Sequence, residues 1–210
     1  MTAGFVIAVD GPAAAGKGTL ARALADAYSL PYLDTGLLYR AVARRVLDAG
    51  LRPEDAAEEA ALRLVPEDMQ RNDLRVPEVD RAASIVAAQP AVRAALLERQ
   101  RVFGREGGAV VDGRDIGTVV FPDAPVKLFI TASSQIRAMR RHNQLNVGVE
   151  LEGAALEAAI AEIESRDTRD SQRDVAPLCP ADDALTINTD GMSAAEVFQK
   201  ACDYIALRRS

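Results

Sequence analysis

Val6-Ile7-Ala8-Val9-Asp10-Gly11-Pro12-Ala13-Ala14-Ala15-Gly16-Lys17-Gly18-Thr19-Leu20 is the stretch that decides the fold. A β-rich apolar run stops at Asp10-Gly11, and a loop of Gly and Ala leads into a helix. Leu20, Ala23, Leu24, Ala27 and Tyr28 recur at helical spacing behind that loop. Strand, small-residue loop and helix start together have the layout of a P-loop. Small side chains let backbone N–H groups turn inward around a phosphate, and the helix N-terminus adds positive potential. Gly11, Pro12, Ala13, Ala14, Ala15, Gly16, Lys17, Gly18 and Thr19 are therefore the expected nucleotide-binding loop, with Lys17 reaching the outer phosphates. The bland alternative is a Gly-rich turn before a surface helix, and Gly-x4-Gly-Lys after a strand outweighs it.

One departure inside the loop is informative. The usual pattern places Ser or Thr directly after the lysine as a Mg²⁺ ligand. Here Gly18 occupies that position and the hydroxyl arrives at Thr19. No side chain is expected to ligate a metal directly. Mg²⁺ would rest on phosphate oxygens and water, in keeping with its reluctance to dehydrate.

The remaining chain bounds what such a loop can serve. The 210 residues suit one α/β domain with small inserts. At 49% hydrophobic and 27% charged, the composition is that of a soluble globular protein. Aromatics make up 4% with no Trp, and the net charge of −6 argues against a nucleic-acid surface. Cys179 and Cys202 have no metal or disulfide spacing, and no signal core or membrane-length apolar run is present. A cytoplasmic protein, expected to be a monomer, fits these features.

Reading onward, Ser29 to Leu33 is a second short strand that ends at Asp34-Thr35-Gly36, a helix-start signal. The next helix runs from about Leu37 to Ala49, and Pro53-Glu54-Asp55 opens a short acidic helix. Pro66, Asn72-Asp73 and Pro77 break every periodicity across 62–78, which reads as loop. Val79, Ala82, Ala83 and Val86 return to helical spacing, and Pro90 begins a further helix. Ala109-Val110-Val111 and Val126–Ile130 read as strands. A helix carrying Arg137, Arg140 and Arg141 follows, then a polar, mobile-looking stretch over 142–152. Leu156, Ala159, Ile160 and Ile163 line one helix face, Ala184–Asn188 is a final strand, and Ser193 with Glu196 forms a capping box. Five strands separated by helices predict a parallel sheet covered on both faces. The loops after strands one, two and three then share the edge where open α/β sheets bind ligands.

Phosphoryl transfer needs positioning and charge compensation more than covalent help. Besides Lys17, the chain offers Arg40, Arg114 and the set Arg166, Arg169 and Arg173 on three separate elements. Arg166, Asp170 and Arg173 fall at i, i+4 and i+7, so a helical turn puts all three on one face. A solvated, salt-bridged helix face is the plainer reading; beside a P-loop, a lid is the better one. An acceptor phosphate is already anionic, so no general base is required. His142 receives no catalytic role.

At this point the chain closely resembles the bacterial cytidylate kinases. The resemblance lies in Ile7–Pro12 with Gly16–Leu20, in Leu33-Asp34-Thr35-Gly36 with Tyr39-Arg40, and in Ala82-Ala83-Ser84 with Val92-Arg93. It continues through Asp112-Gly113-Arg114-Asp115 to Pro122, then Arg166-Asp167, Arg169-Asp170 and Val175-Ala176-Pro177-Leu178. The Gly-Lys-Gly-Thr loop is likewise similar to nucleoside monophosphate kinases rather than switch GTPases. The resemblance implies a P-loop NTPase-type five-stranded parallel sheet flanked by helices, with a small acceptor-binding insert and a lid. It places the core at 1–50, 103–141 and 176–210, the insert at about 51–102 and the lid at about 142–175.

The same resemblance implies transfer of the γ-phosphate of ATP to CMP or dCMP, with Mg²⁺. Lys17, Arg114, Arg166 and Arg173 would serve the transfer. Arg40, Arg114 and Arg173 would hold the acceptor phosphate, while Thr35, Arg166 and Asp170 would meet the ribose and the lid side. Ser84, Arg93 and Asp115 would read the base, and Arg137 and Arg141 would contact the donor. Cytosine's exocyclic amine suits a carboxylate acceptor and its N3 and O2 suit arginine. One difference stands out: the stretch Leu64–Pro77 is abbreviated where the family usually carries a larger insert with a small sheet. Three other readings share the motifs: a kinase for UMP or AMP, a P-loop switch, and a nucleotide-binding pseudoenzyme. Asp115, Ser84 and Arg93 argue against the first, Gly18 against the second, and the intact set of cations against the third.

Overall fold

The structure is a computed structural model that describes residues 4–55, 57–105, 107–145 and 151–209. Its centre is β1 (Val6–Asp10), buried along its whole length, as a continuous apolar run requires in a sheet covered on both faces. The chain continues through α1 (Lys17–Tyr28), β2 (Tyr32–Asp34), α2 (Thr35–Asp48), α3 (Glu58–Leu62), α4 (Pro77–Val86) and α5 (Pro90–Arg105). Then come β3 (Ala109–Asp112), a π-helical turn Ile116–Val120, β4 (Val126–Thr131), α6 (Ser134–Leu145), α7 (Gly153–Ser171), β5 (Leu185–Asn188) and α8 (Ala194–Arg209). All five strands are parallel, in the order β2-β3-β1-β4-β5. The expected sheet is present.

Register decides what meets at the carboxyl edge. Val9 and Asp34 both pair with Asp112, so the ends of β1, β2 and β3 lie level. Asp10, one residue beyond Val9, pairs with Phe129 on the other side. The phosphate loop, the start of α2 and the loop after β3 therefore open from one line. Gly11 lets the first of these leave the sheet: its φ is +140°, and a Cβ there would lie 1.9 Å from the Ile130 carbonyl oxygen.

Leu20, Leu24, Leu128, Ile130 and Ile205 form the core between β1, β4, α1 and α8. A separate cluster of Leu38, Val42, Val46, Leu74, Val79, Val86 and Leu96 joins α2, α4 and α5. Helix α2 is thus packed into the 51–102 region on one side while its first turn faces the cleft.

Three details differ from the sequence expectation. The acidic helix starts at Glu58 rather than Pro53. Gln89 explains this: its Nε2 donates to the carbonyls of Pro53 (2.8 Å) and Asp55 (2.9 Å), and its Oε1 accepts the N–H of Ala57. Those backbone groups have partners without a helix. Residues 62–78 are not all loop, because Pro66–Gln70 forms a 3₁₀ turn and α4 already begins at Pro77. Asp68 closes that turn, accepting from the Val65 N–H and from Arg45, while Leu64 and Leu74 are buried beneath. Arg173 lies past the end of α7, held by its Nε donating to the Asp170 carbonyl at 3.1 Å. The capping box at Ser193 and Glu196 is present.

Candidate active site

The level strand ends open into one cavity of about 710 Å³, within the range of small-ligand sites. One wall is the phosphate loop and the start of α1: Ala13, Ala14, Gly16, Lys17, Gly18 and Thr19. The facing wall comes from α2, α4, α5 and the loop after β3, and includes Thr35, Arg40, Ser84, Arg93, Arg114 and Asp115. Helices α6 and α7 cover it with Arg141, Arg166, Arg169 and Asp170, and Arg173 follows. Of the residues singled out from sequence, Gly11, Pro12, Ala15 and Arg137 are the ones that do not line the cavity.

Gly16, at φ +99°, turns the chain so that α1 begins at Lys17. The buried Lys17 Nζ donates to the Pro12 carbonyl at 2.8 Å. Burial pushes its ammonium down to about 7, and the neighbouring Arg114 pushes the same way. Burial likewise lifts Asp10 to about 7, against the two backbone N–H bonds that favour its charged form. A lysine held this way gains most when phosphate charge arrives beside it.

The acceptor wall is a lattice of ion pairs. Arg114 Nε donates to Asp170 Oδ2 at 3.1 Å, joining the β3 loop to α7. Burial works against the charge on both partners, but Asp170 and Asp112 outweigh it for Arg114 and raise its pKa. Arg114, Arg166 and Arg173 outweigh it for Asp170 and lower its pKa. Arg166 has no such balance: burial, then Arg114, lowers it to about 9. Its Nε and the Nη2 of Arg173 are buried and find no hydrogen-bond partner among the described residues. Such N–H groups are costly unless an anion takes them. Farther in, Arg93 pairs with Asp115, both almost fully buried, and lies over the Tyr39 ring at 5.6 Å. Thr35 Oγ1 donates to the Asp112 carbonyl at 2.8 Å.

Several residues of the site were not singled out from sequence. Asp80 pairs with Arg40 (2.8 Å) and with Arg141, so one carboxylate ties α4 to α2 and α6 across the cleft. Its position four residues before Ser84 on one helix face was the available signal. Arg169, already singled out with Arg166 and Arg173, makes a contact the sequence did not show: its Nη1 donates to Ser84 Oγ at 2.7 Å, linking α7 to α4. Arg140 donates to the Ala15 carbonyl and to Thr189, pinning α6 and the end of β5 against the phosphate loop. Arg137 is absorbed structurally: its guanidinium meets the carbonyls of Ala132 and Ala13 and the Asp167 carboxylate. Arg141, in contrast, lines the cavity. The expected mobile stretch falls partly on 146–150, outside the described residues.

A phosphate loop rooted on β1, facing a wall of arginines across one cleft, defines a P-loop phosphotransferase architecture. Residues 7–207 match the family model described as Cytidylate kinase. The chain is 63% identical over 200 residues to the cytidylate kinase of Granulibacter bethesdensis, covering 94% of each chain. It is 57% identical over 208 residues to that of Acidiphilium cryptum, covering 98% of this chain and 97% of the other. An uncharacterized protein from Eubacterium ventriosum, 15% identical, superposes over 96% of this chain and 98% of its own with a TM-score of 0.55, a likeness of fold. The chain belongs to the cytidylate kinase family.

Proposed function

We propose that the protein transfers the γ-phosphate of ATP to CMP or dCMP, giving ADP and CDP or dCDP, as a cytoplasmic monomer. Family membership supports the reaction. Within this structure, one observation carries it furthest. In a chain of net charge −6, Lys17, Arg40, Arg114, Arg166 and Arg173 gather on a single cleft, two of them with buried N–H groups that have no partner among the described residues. That concentration of positive charge suits two facing polyanions.

Position in one cleft supports the following roles. Lys17 and the loop N–H groups hold the donor and compensate charge on the transferring group. Arg40, Arg114 and Arg173 grip the acceptor phosphate, Thr35, Arg166 and Asp170 border its ribose, and Ser84, Arg93 and Asp115 face its base. Arg141, once released from Asp80, contacts the donor, whereas Arg137 serves by fixing the loop. Residues 1–50, 103–141 and 176–210 act as the core, 51–102 as the acceptor insert and 142–175 as the lid, with α2 shared between core and insert. Among the described residues no group of three His, Cys, Asp or Glu converges as a metal site. Mg²⁺ would be held chiefly by phosphate oxygens and water, because Gly18 stands where a ligating hydroxyl is usual. When bound, the ion would screen the phosphate oxygens.

Base choice provides the test. An ionised carboxylate only accepts hydrogen bonds, which fits the cytosine amine and repels the uracil oxygen at that place. Asp115→Asn is expected to lower kcat/KM for CMP and to shrink the CMP-to-UMP ratio by about ten-fold or more, the loss of one or two charge-assisted bonds. It also removes the charge facing buried Arg93, so a lower Tm is expected. An unchanged ratio would remove Asp115 as the base reader and leave Ser84, Arg93 or pocket shape in its place.

A further inference from the structure

Asp10 sits where the phosphate loop leaves the sheet, and both its carboxylate oxygens are committed across that sheet. Oδ1 accepts the N–H of Ile116 at 2.8 Å and Oδ2 the N–H of Gly117 at 2.7 Å. These two residues directly follow Arg114 and Asp115 and open the π-helical turn Ile116–Val120. Asp10 is 5% exposed and does not line the cleft. The turn has no slack around this contact. A Cβ on Gly117 would lie 3.1 Å from Lys127 Cδ and 3.4 Å from Asp10 Oδ2, and Ile116 is fully buried.

We infer that Asp10 is a positioning residue for the acceptor: it fixes Arg114 and Asp115 at a set distance from the phosphate loop, and so aligns the acceptor with the donor. This inference rests on the reading of Arg114 and Asp115 given above. A forked acceptor is needed for the job, because two adjacent N–H groups converge on one side chain. Asparagine supplies one acceptor and turns an N–H toward the other, while glutamate adds a methylene and pushes the turn away. The carboxylate bonds are charge-assisted and short, which makes the tether stiff. Lys17 and Asp115 are the charged groups that act on Asp10 most strongly, so an alternative role for Asp10 is to hold Lys17 for the donor. The two roles predict opposite splits.

Asp10→Asn and Gly117→Ala in the full chain separate them. The second variant alters no charge and disturbs the turn from its other side, so it also stands in if the first fails to fold. Alignment predicts that kcat/KM for CMP falls about ten- to a hundred-fold in both, the scale of a small misplacement of reacting groups. It predicts a CMP-to-UMP ratio lowered several-fold, with the Kd of a non-hydrolysable ATP analogue held within about two-fold. Hydrogen exchange at Ile116 and Gly117, read without nucleotide, should quicken. An unchanged ratio in a folded variant, or an ATP-analogue affinity that falls in step with CMP efficiency, would overturn the inference. A parent enzyme with no preference for CMP would instead count against the acceptor reading, with the exchange result still reporting the tether.

Discussion

Lys17→Ala is expected to lower kcat by at least about 10²–10³-fold, the cost of removing one preorganised charge stabiliser from a water-excluded site. The side chain is 5% exposed and its ammonium is held down to about 7 by burial, so the folded protein gains little from it before substrate arrives. Its value is concentrated in the transition state, and the loss should appear in kcat more than in KM for CMP. The fold should survive, with Tm unchanged or slightly raised, because a poorly solvated charge has been removed. A second readout uses the proton. Phosphate charge beside Lys17 raises its pKa, so donor binding near pH 8 should take up a proton in the parent and less in the variant. Calorimetry in two buffers of different ionisation enthalpy measures this. Turnover near the parent level, or equal proton uptake in both proteins, would remove Lys17 from the donor site.

Arg114→Ala should be nearly as severe, for a different reason. Arg114 is proposed to hold the acceptor phosphate, and it also neutralises Asp170, which is almost fully buried. Losing a charge-assisted bond costs about 1.5–3 kcal/mol, and a buried carboxylate deprived of its partner adds more. A fall in kcat/KM of about 10²–10³-fold and a clear drop in Tm are expected. Arg166→Ala and Arg173→Ala should lose only about ten- to a hundred-fold, with Tm nearly unchanged. Burial already works against the charge on both, and a buried N–H of each lacks a partner among the described residues. Asp170→Asn should recover part of the stability of Arg114→Ala in the double variant, by removing the stranded charge. Equal Tm losses for Arg114→Ala and Arg166→Ala would show that the Arg114–Asp170 pair does not organise the lid.

Much of this was legible in the chain because its signals are contiguous. The loop Gly11–Thr19, the helix-start at Asp34–Gly36 and the run Asp112–Asp115 each follow a short apolar strand, so parallel topology alone places them on one edge. What could not be read were the pairings made by that topology. Asp10 reaches Ile116 and Gly117 across more than a hundred residues, and Asp80 meets Arg40 and Arg141 from a third element. Nothing local marks a carboxylate as a partner for a distant backbone N–H. Arg137 shows the converse. The family resemblance assigned it to the donor together with Arg141, yet only Arg141 lines the cavity while Arg137 is bound to the carbonyls of Ala132 and Ala13 and to Asp167. At Pro53 the helix-start signal is genuine, but Gln89, from the α4–α5 connection, satisfies the same backbone groups and delays the helix to Glu58.

The central claim is the identity of the acceptor, and steady-state turnover of the parent enzyme with ATP and a panel of CMP, dCMP, UMP, AMP and GMP tests it most directly. Measured as kcat/KM in a coupled assay for ADP, CMP or dCMP should exceed each of the other three by about 10²-fold or more, because a site built around specific hydrogen bonds leaves buried groups unpaired with the wrong base. Comparable efficiency with UMP or AMP, or no ADP formed with CMP above the rate with ATP alone, would contradict it.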